Sequence, residues 1–173
     1  MNKTNTLFYF GYGSNMSTHY LIKRRKIIPV SSNAGILKDY QLIMNMGGPN
    51  FLEPSFANIR ELRGSNVEGV VHEIDKIDLQ KIVNTEGEDY ELVKLSIDVS
   101  GKKKTAHTLI YKTNETKDIP PSKRYLKILI GAAKENNLSS TYIKSLEGRP
   151  SVYYPLLSEF FSLRVYLWVW LRT

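Results

Sequence analysis

Leu7-Phe8-Tyr9-Phe10-Gly11-Tyr12-Gly13-Ser14-Asn15-Met16 is the stretch that decides the fold. Four aromatic or apolar residues in a row, cut off by two glycines and short polar side chains, read as a buried strand entering a tight turn. Ser14, Asn15 or Ser17 is placed to cap a following helix, which carries Tyr20, Leu21 and Lys23 to Lys26 before Pro29 stops it. The opening unit is therefore strand, tight loop, helix. Two glycines at a strand end also let backbone N–H groups come close to a bound anion. The spacing is not the dinucleotide pattern, because Met16 stands where a third glycine belongs, and the lysine of a phosphate loop is missing. A glycine turn that serves only strand-helix packing is the plain alternative.

Working outward, Ile36 to Met46 is apolar enough for a second strand, Gly47-Gly48-Pro49-Asn50 reads as irregular loop, and Val67 to Ile74 reads as a third strand. Between Asp78 and Glu86 the period changes. Leu79, Ile82, Val83 and Glu86 fall at i, i+3, i+4 and i+7, so a carboxylate continues the apolar stripe of a helix. Tyr90 to Val99 alternates like a half-buried strand, Gly101 turns it back, and Thr105 to Lys112 follows as its partner. Pro120-Pro121-Ser122 opens a long helix striped by Tyr125, Ile128, Leu129, Ala132 and Ala133. Asn136-Asn137 ends it, and Ser139 or Ser140 caps a short one with Tyr142, Ile143 and Leu146. Strands outnumber helices without a regular βαβ alternation, which indicates α+β with a mixed or antiparallel sheet.

The 173 residues suit one domain, and 42% hydrophobic with 24% charged residues is an ordinary globular composition. With no cysteine, a disulfide framework, a thiolate metal site and a cysteine nucleophile are excluded. Met1 begins the polar MNKTNT rather than a basic and then apolar leader, so the cytosol is the expected compartment. The net charge of +7 rests partly on two short runs, Lys23-Arg24-Arg25-Lys26 and Lys102-Lys103-Lys104. Neither is interleaved with aromatics, the second sits at a hairpin turn, and both read as solvated surface, so no nucleic-acid partner is expected. From Ser151 the chain turns apolar. Val165 to Leu171 is too short to span a membrane, which leaves a last strand or helix over the core or a dimer interface, a tail on a membrane surface, or an atypical terminus that packs poorly. Residues 1–150 are expected to form the domain and 151–173 a divergent apolar tail.

Glu86 is the candidate for chemistry, because a carboxylate on an apolar face loses water, and desolvated carboxylates accept and return protons near neutral pH. Its bland reading is a helix end pointing into water beside Gly87; Glu88 and Asp89 are rivals that do not continue the stripe. His19, His72 and His107 lack metal-ligand spacing and receive no role. No G-x-S-x-G elbow supports a serine hydrolase at Ser14.

Together these residues resemble the γ-glutamylcyclotransferases. LFYFGYGSNM looks like that family's aromatic strand and YGSN loop, and EGVVHEIDKIDLQKIVNTEG resembles the segment ending in its catalytic Glu-Gly. PPSKRYLKILIGAAKENNLSSTYIKSL resembles its C-terminal helical region, and GILKDYQLIMN fits its second strand. The resemblance covers about Leu7 to Pro150. It implies a small, partly closed β-barrel with flanking helices, and an enzyme that releases an amino acid and 5-oxoproline from a small-molecule γ-glutamyl substrate without cofactor or metal. It implies that Glu86 is the general acid and base, that Tyr12, Gly13, Ser14 and Asn15 hold the glutamyl group, and that a strand tyrosine lines the pocket. Tyr111 is the nearest candidate for that tyrosine, although Leu109 falls at the aligned position. A homodimer is compatible with this picture, and the tail after Pro150 departs from the family's polar end.

Overall fold

A computed structural model describes residues 5–86 and 89–170. Five strands close into a barrel in the order β1-β3-β2-β4-β5, formed by β1 (Thr6–Gly11), β2 (Ser31–Asn50), β3 (Glu53–Asp75), β4 (Tyr90–Val99) and β5 (Lys102–Tyr111). Neighbours are antiparallel except at the seam, where β1 meets β5 in parallel at Tyr9 and His107. The helices α1 (Thr18–Arg25), α2 (Lys76–Glu86), α3 (Lys123–Glu135), α4 (Ser140–Glu147) and α5 (Leu157–Trp170) flank it. The class is α+β with a small mixed barrel.

Both faces of β1 are covered, which explains its unbroken apolar run. Phe10 belongs to the main core with Met44, Ile59, Val71 and Leu129. Tyr9, pointing the other way, joins Leu21, Ile74, Leu79 and Ile82 in a second cluster under α1 and α2. The α2 stripe read from the sequence is the face turned to that cluster: Leu79 and Ile82 are buried and Val83 packs beside them.

Two sequence expectations are corrected here. Gly47-Gly48-Pro49-Asn50 is strand rather than loop, and the hairpin partner begins already at Glu53. Register shifts between Lys38 and Tyr40, Met44 and Met46, and Gly47 and Asn50 mark bulges that bend this long hairpin around the barrel. Glycine is obligatory at 48, where an added Cβ would lie 1.5 Å from the Glu53 carbonyl oxygen. The second correction is Lys102 to Lys104, which start β5 instead of forming the turn; Lys104 Nζ sits 4.3 Å from the centre of the Phe8 ring.

The caps follow elementary rules. Ser17, Ser122 and Ser139 each begin a helix, and each hydroxyl accepts the N–H of the third residue on. Val152, past Pro150, is tied to the start of α3: its N–H donates to the Pro121 carbonyl and its carbonyl accepts from Lys123 N–H. Helix α5 is mostly apolar in sequence, with Glu159 and Arg164 as its charged residues, and Leu157, Phe160, Leu163 and Tyr166 are more than half exposed. No helix among the described residues is long and apolar enough to cross a membrane.

Candidate functional site

A cleft of about 260 Å³ opens where the turn after β1 meets α1, α2 and α3. The turn is shaped by Gly11: a Cβ there would stand 2.6 Å from the Asn15 carbonyl oxygen, so the chain folds back this tightly only without a side chain. Residues Ser14–Met16 then form a single 3-10 turn, closed by Met16 N–H on the Gly13 carbonyl at 3.0 Å, and Ser17 starts α1. Tyr12, Gly13, Ser14 and Asn15 all line the cleft.

Asn15 is the hub. Its buried amide donates to Tyr9 Oη at 3.0 Å and to Glu86 Oε1 at 3.1 Å, while its Oδ1 accepts from Arg25 Nε at 3.0 Å. Arg25 also pairs with the Glu86 carboxylate and donates to Thr85 Oγ1, binding α1 to the end of α2. The backbone of Asn15 is fixed from behind by His72, whose Nε2 lies 2.9 Å from the Asn15 carbonyl and whose Nδ1 lies 2.8 Å from Ser32 Oγ. A carbonyl only accepts, so Nε2 carries the proton and Nδ1 accepts from Ser32. Burial lowers the His72 pKa to about 4, which keeps this tautomer neutral.

Glu86 ends α2 with its side chain 21% exposed, facing the cleft rather than open solvent. Five phenols, those of Tyr9, Tyr12, Tyr20, Tyr90 and Tyr125, line the hollow. Burial, reinforced by the charge of Glu86, pushes Tyr9 and Tyr90 far above the ordinary phenol range, and burial does the same to Tyr12 and Tyr125. These four therefore stay protonated and uncharged. Tyr12 Oη donates to the Leu109 carbonyl, Tyr90 Oη to Met46 Sδ at 2.6 Å, and Tyr125 Oη accepts the Ala57 N–H at 3.2 Å. Tyr9 Oη accepts from the Asn15 amide at 3.0 Å. A carboxylate facing a glycine turn, among neutral phenols and flanked by arginines, suits a small ligand that carries both an acid and an amine.

The sequence candidates thus meet in one place, except Tyr111. Leu109 lines the cleft, and Tyr111 does not. Tyr90 pairs with Tyr111 across β4 and β5 and their rings pack edge-on at 5.6 Å, so the Tyr90 phenol takes the position at the wall. The rival Asp89 does not line the cleft, and Gly87 and Glu88 lie outside the described residues.

The basic run Lys23 to Lys26 is corrected in one member, since the Arg25 side chain is only 8% exposed. Its signal was available: Arg25 lies four residues after Leu21, the buried residue of α1, and so shares its face. Tyr9, Tyr90, Tyr125 and Arg124 also line the cleft, although local pattern marks the tyrosines only as strand or stripe residues and gives Arg124 no distinction. His72, left without a role, holds the loop.

The sequence model of the AIG2-like family matches residues 66–146. The γ-glutamyl cyclotransferase gliK of Claviceps purpurea is 30% identical over 171 residues, covering 91% of this chain and 77% of that protein. The γ-glutamylcyclotransferase of Bos taurus is 31% identical over 164 residues, covering 89% of this chain and 85% of its own. A solved γ-glutamyl cyclotransferase structure superposes with a TM-score of 0.76 at 26% identity, covering 87% of this chain and 91% of that one. With a matching barrel, and with relatives of this similarity over nearly the whole chain, the protein belongs to the γ-glutamylcyclotransferase family.

Proposed function

We propose that the protein cleaves γ-glutamyl-amino acids to 5-oxoproline and a free amino acid, with Glu86 as the group that moves the proton. The observation that carries this reading is the Glu86 carboxylate, held by Asn15 and Arg25 at the edge of the Tyr12 to Asn15 turn. The substrate's α-amino nitrogen bonds to its own δ-carbonyl carbon, and the amide C–N bond then breaks. An ammonium cannot attack, so Glu86 takes a proton from it and returns one to the departing nitrogen. Both reacting groups belong to one molecule, so holding its backbone in a ring-closing conformation supplies much of the acceleration. Amides of the Gly13 to Asn15 turn serve the glutamyl α-carboxylate or the developing oxyanion.

The test is 5-oxoproline formation from γ-glutamyl-alanine. Glu86→Gln keeps size and the contact to Asn15 but cannot move the proton, and turnover should fall about 10²- to 10⁴-fold. Undiminished turnover in that variant would remove Glu86 as the base. A second reading is favoured by the apolar wall of Met46, Phe56 and Ile128: a larger γ-glutamyl compound. A panel of γ-glutamyl acceptors of rising apolar size separates the two.

A further inference from the structure

The cleft has a second carboxylate-organised wall that the chemistry above does not use. Glu53, at the start of β3, is 2% exposed. Its Oε2 accepts from Ser122 Oγ at 2.9 Å and its Oε1 pairs with Arg124 Nε at 2.6 Å. Ser122 is the cap of α3, and its hydroxyl also accepts Tyr125 N–H at 3.0 Å. One buried carboxylate therefore locks the first turn of α3, from which Arg124 and Tyr125 both reach the cleft. A buried ion pair of this kind is a weak source of stability, because losing water offsets most of the attraction. What it does provide is an arginine with a fixed Nε, whose terminal nitrogens are preorganised for a second planar acid.

The other arginines of the cleft are engaged differently. Arg25 serves Glu86 and Asn15, and Arg24 lies 5.9 Å from the centre of the Tyr20 ring. A γ-glutamyl-amino acid carries two carboxylates, one on the glutamyl part and one on the departing amino acid. With the glutamyl end at the Tyr12 to Asn15 turn, the second carboxylate needs a cation across the cleft.

Resting on the reading under Proposed function, we infer that Arg124, oriented by Glu53, binds the α-carboxylate of the departing amino acid and makes the site selective for γ-glutamyl-α-amino acids over γ-glutamyl-amines. The probe pair is γ-glutamyl-alanine and γ-glutamyl-ethylamine, which differ by that carboxylate alone. In the wild type, kcat/KM should favour the alanine compound about 10- to 100-fold, the range of a charge-assisted, two-pronged contact. Arg124→Gln should bring this ratio close to one. Because that change strands the buried Glu53, the double variant Glu53→Gln with Arg124→Gln, which leaves no unpaired charge, is measured beside it and should show the same collapse. Arg124→Lys should restore part of the ratio, since it keeps charge without the planar fork.

Calorimetric affinities of the same proteins for the same two compounds separate the failures. An Arg124-dependent preference in binding without any turnover would support the carboxylate anchor and overturn the catalytic reading. Turnover with a ratio unchanged by both variants would overturn the anchor and leave the catalytic reading standing. Equal losses on both compounds reduce Glu53 and Arg124 to a structural pair, and absence of both turnover and preference removes both proposals.

Discussion

The two basic runs, Lys-Arg-Arg-Lys at 23–26 and Lys-Lys-Lys at 102–104, have opposite fates. Lys23 to Lys26 ends α1, and one member, Arg25, is folded under the surface to hold Asn15, Thr85 and Glu86 together. Lys102 to Lys104 starts β5 at the hairpin, and Lys102 and Lys103 stand in solvent. The difference comes from the element beneath. On a helix, four residues past a buried leucine is again the inner face, whereas Lys102 and Lys103, next to the hairpin turn, stand in water and only Lys104, deeper in the strand, finds a ring to cover. A run of charges is therefore read one residue at a time once its element is known.

The strongest way to break this contrast is Arg25→Gln. Three acceptors lose a donor at once, Glu86 keeps a charge in a partly dry cleft, and the Asn15 amide alone is left to hold Glu86 in place. We expect kcat/KM on γ-glutamyl-alanine to fall about 100-fold, the cost of a small misplacement of reacting groups, and unfolding free energy to drop by about 2 kcal/mol. Arg25→Lys should recover little, because one ammonium cannot span the acceptors that Nε and both Nη reach. A loss below about threefold in either variant, where about 100-fold is expected, would place Arg25 with the lysines of the other run.

How far the sequence was legible follows the same logic. Helix periodicity exposed α2 and its terminal Glu86, and Ser122 before an apolar stripe exposed α3, since cap and stripe are local. The first half of β3 was not legible: Glu53-Pro-Ser-Phe-Ala-Asn mixes charge, proline and small residues, yet Ser55 and Asn58 are buried. Their partners are remote, with Ser55 Oγ donating to the Ile119 carbonyl and Asn58 bracketing the backbone of Tyr111. The Gly47 to Asn50 segment carries every turn signal and still pairs, because bulges absorb what the ladder cannot. In the site, the turn, Glu86 and the inward face of Arg25 are readable from local spacing, while Tyr90 and Arg124 join them only in the folded chain. Tyr111 was misplaced relative to the cleft because its cross-strand neighbour Tyr90 covers it, a fact of register rather than spacing.

A smaller effect sharpens the picture of the hub from behind. The His72 pKa of about 4 lies below the ordinary value near 6.5. The unfolded chain takes up a proton as pH falls through about 6.5, while the folded chain refuses it until about 4, so the unfolded state binds more protons in between. The contribution of His72 is therefore complete above 6.5 and is lost as pH falls from there toward 4. At pH 5 about 2 kcal/mol of it should be gone, from 1.36 kcal/mol per unit. Urea unfolding at pH 7 and pH 5, in the wild type and in His72→Gln, reads this directly: the difference between the two pH values should shrink by about 2 kcal/mol in the variant. Equal slopes in both proteins would mean that His72 titrates like an exposed imidazole and does not clamp Asn15.

The smallest expected effect belongs to the other run. Replacing Lys102 and Lys103 by Gln removes two cations whose side chains stand in water, where a charge is worth little and salt screens it further. Asp98 pairs across the strands with Lys103 in register, but its carboxylate is engaged elsewhere, accepting Gly101 N–H at 2.8 Å and facing Lys38 Nζ at 3.7 Å. Unfolding free energy should stay within about 0.5 kcal/mol of the wild type, and kcat/KM at physiological salt should not move. Lys104 is left in place because it packs over Phe8, and changing it would mix a packing effect with a charge effect. If the double variant instead lost turnover at low ionic strength and regained it with salt, the hairpin charges would act on the cleft at a distance, steering an anionic substrate toward it. The contrast between the runs would then be one of range: Arg25 acting by contact and Lys102 and Lys103 through the field.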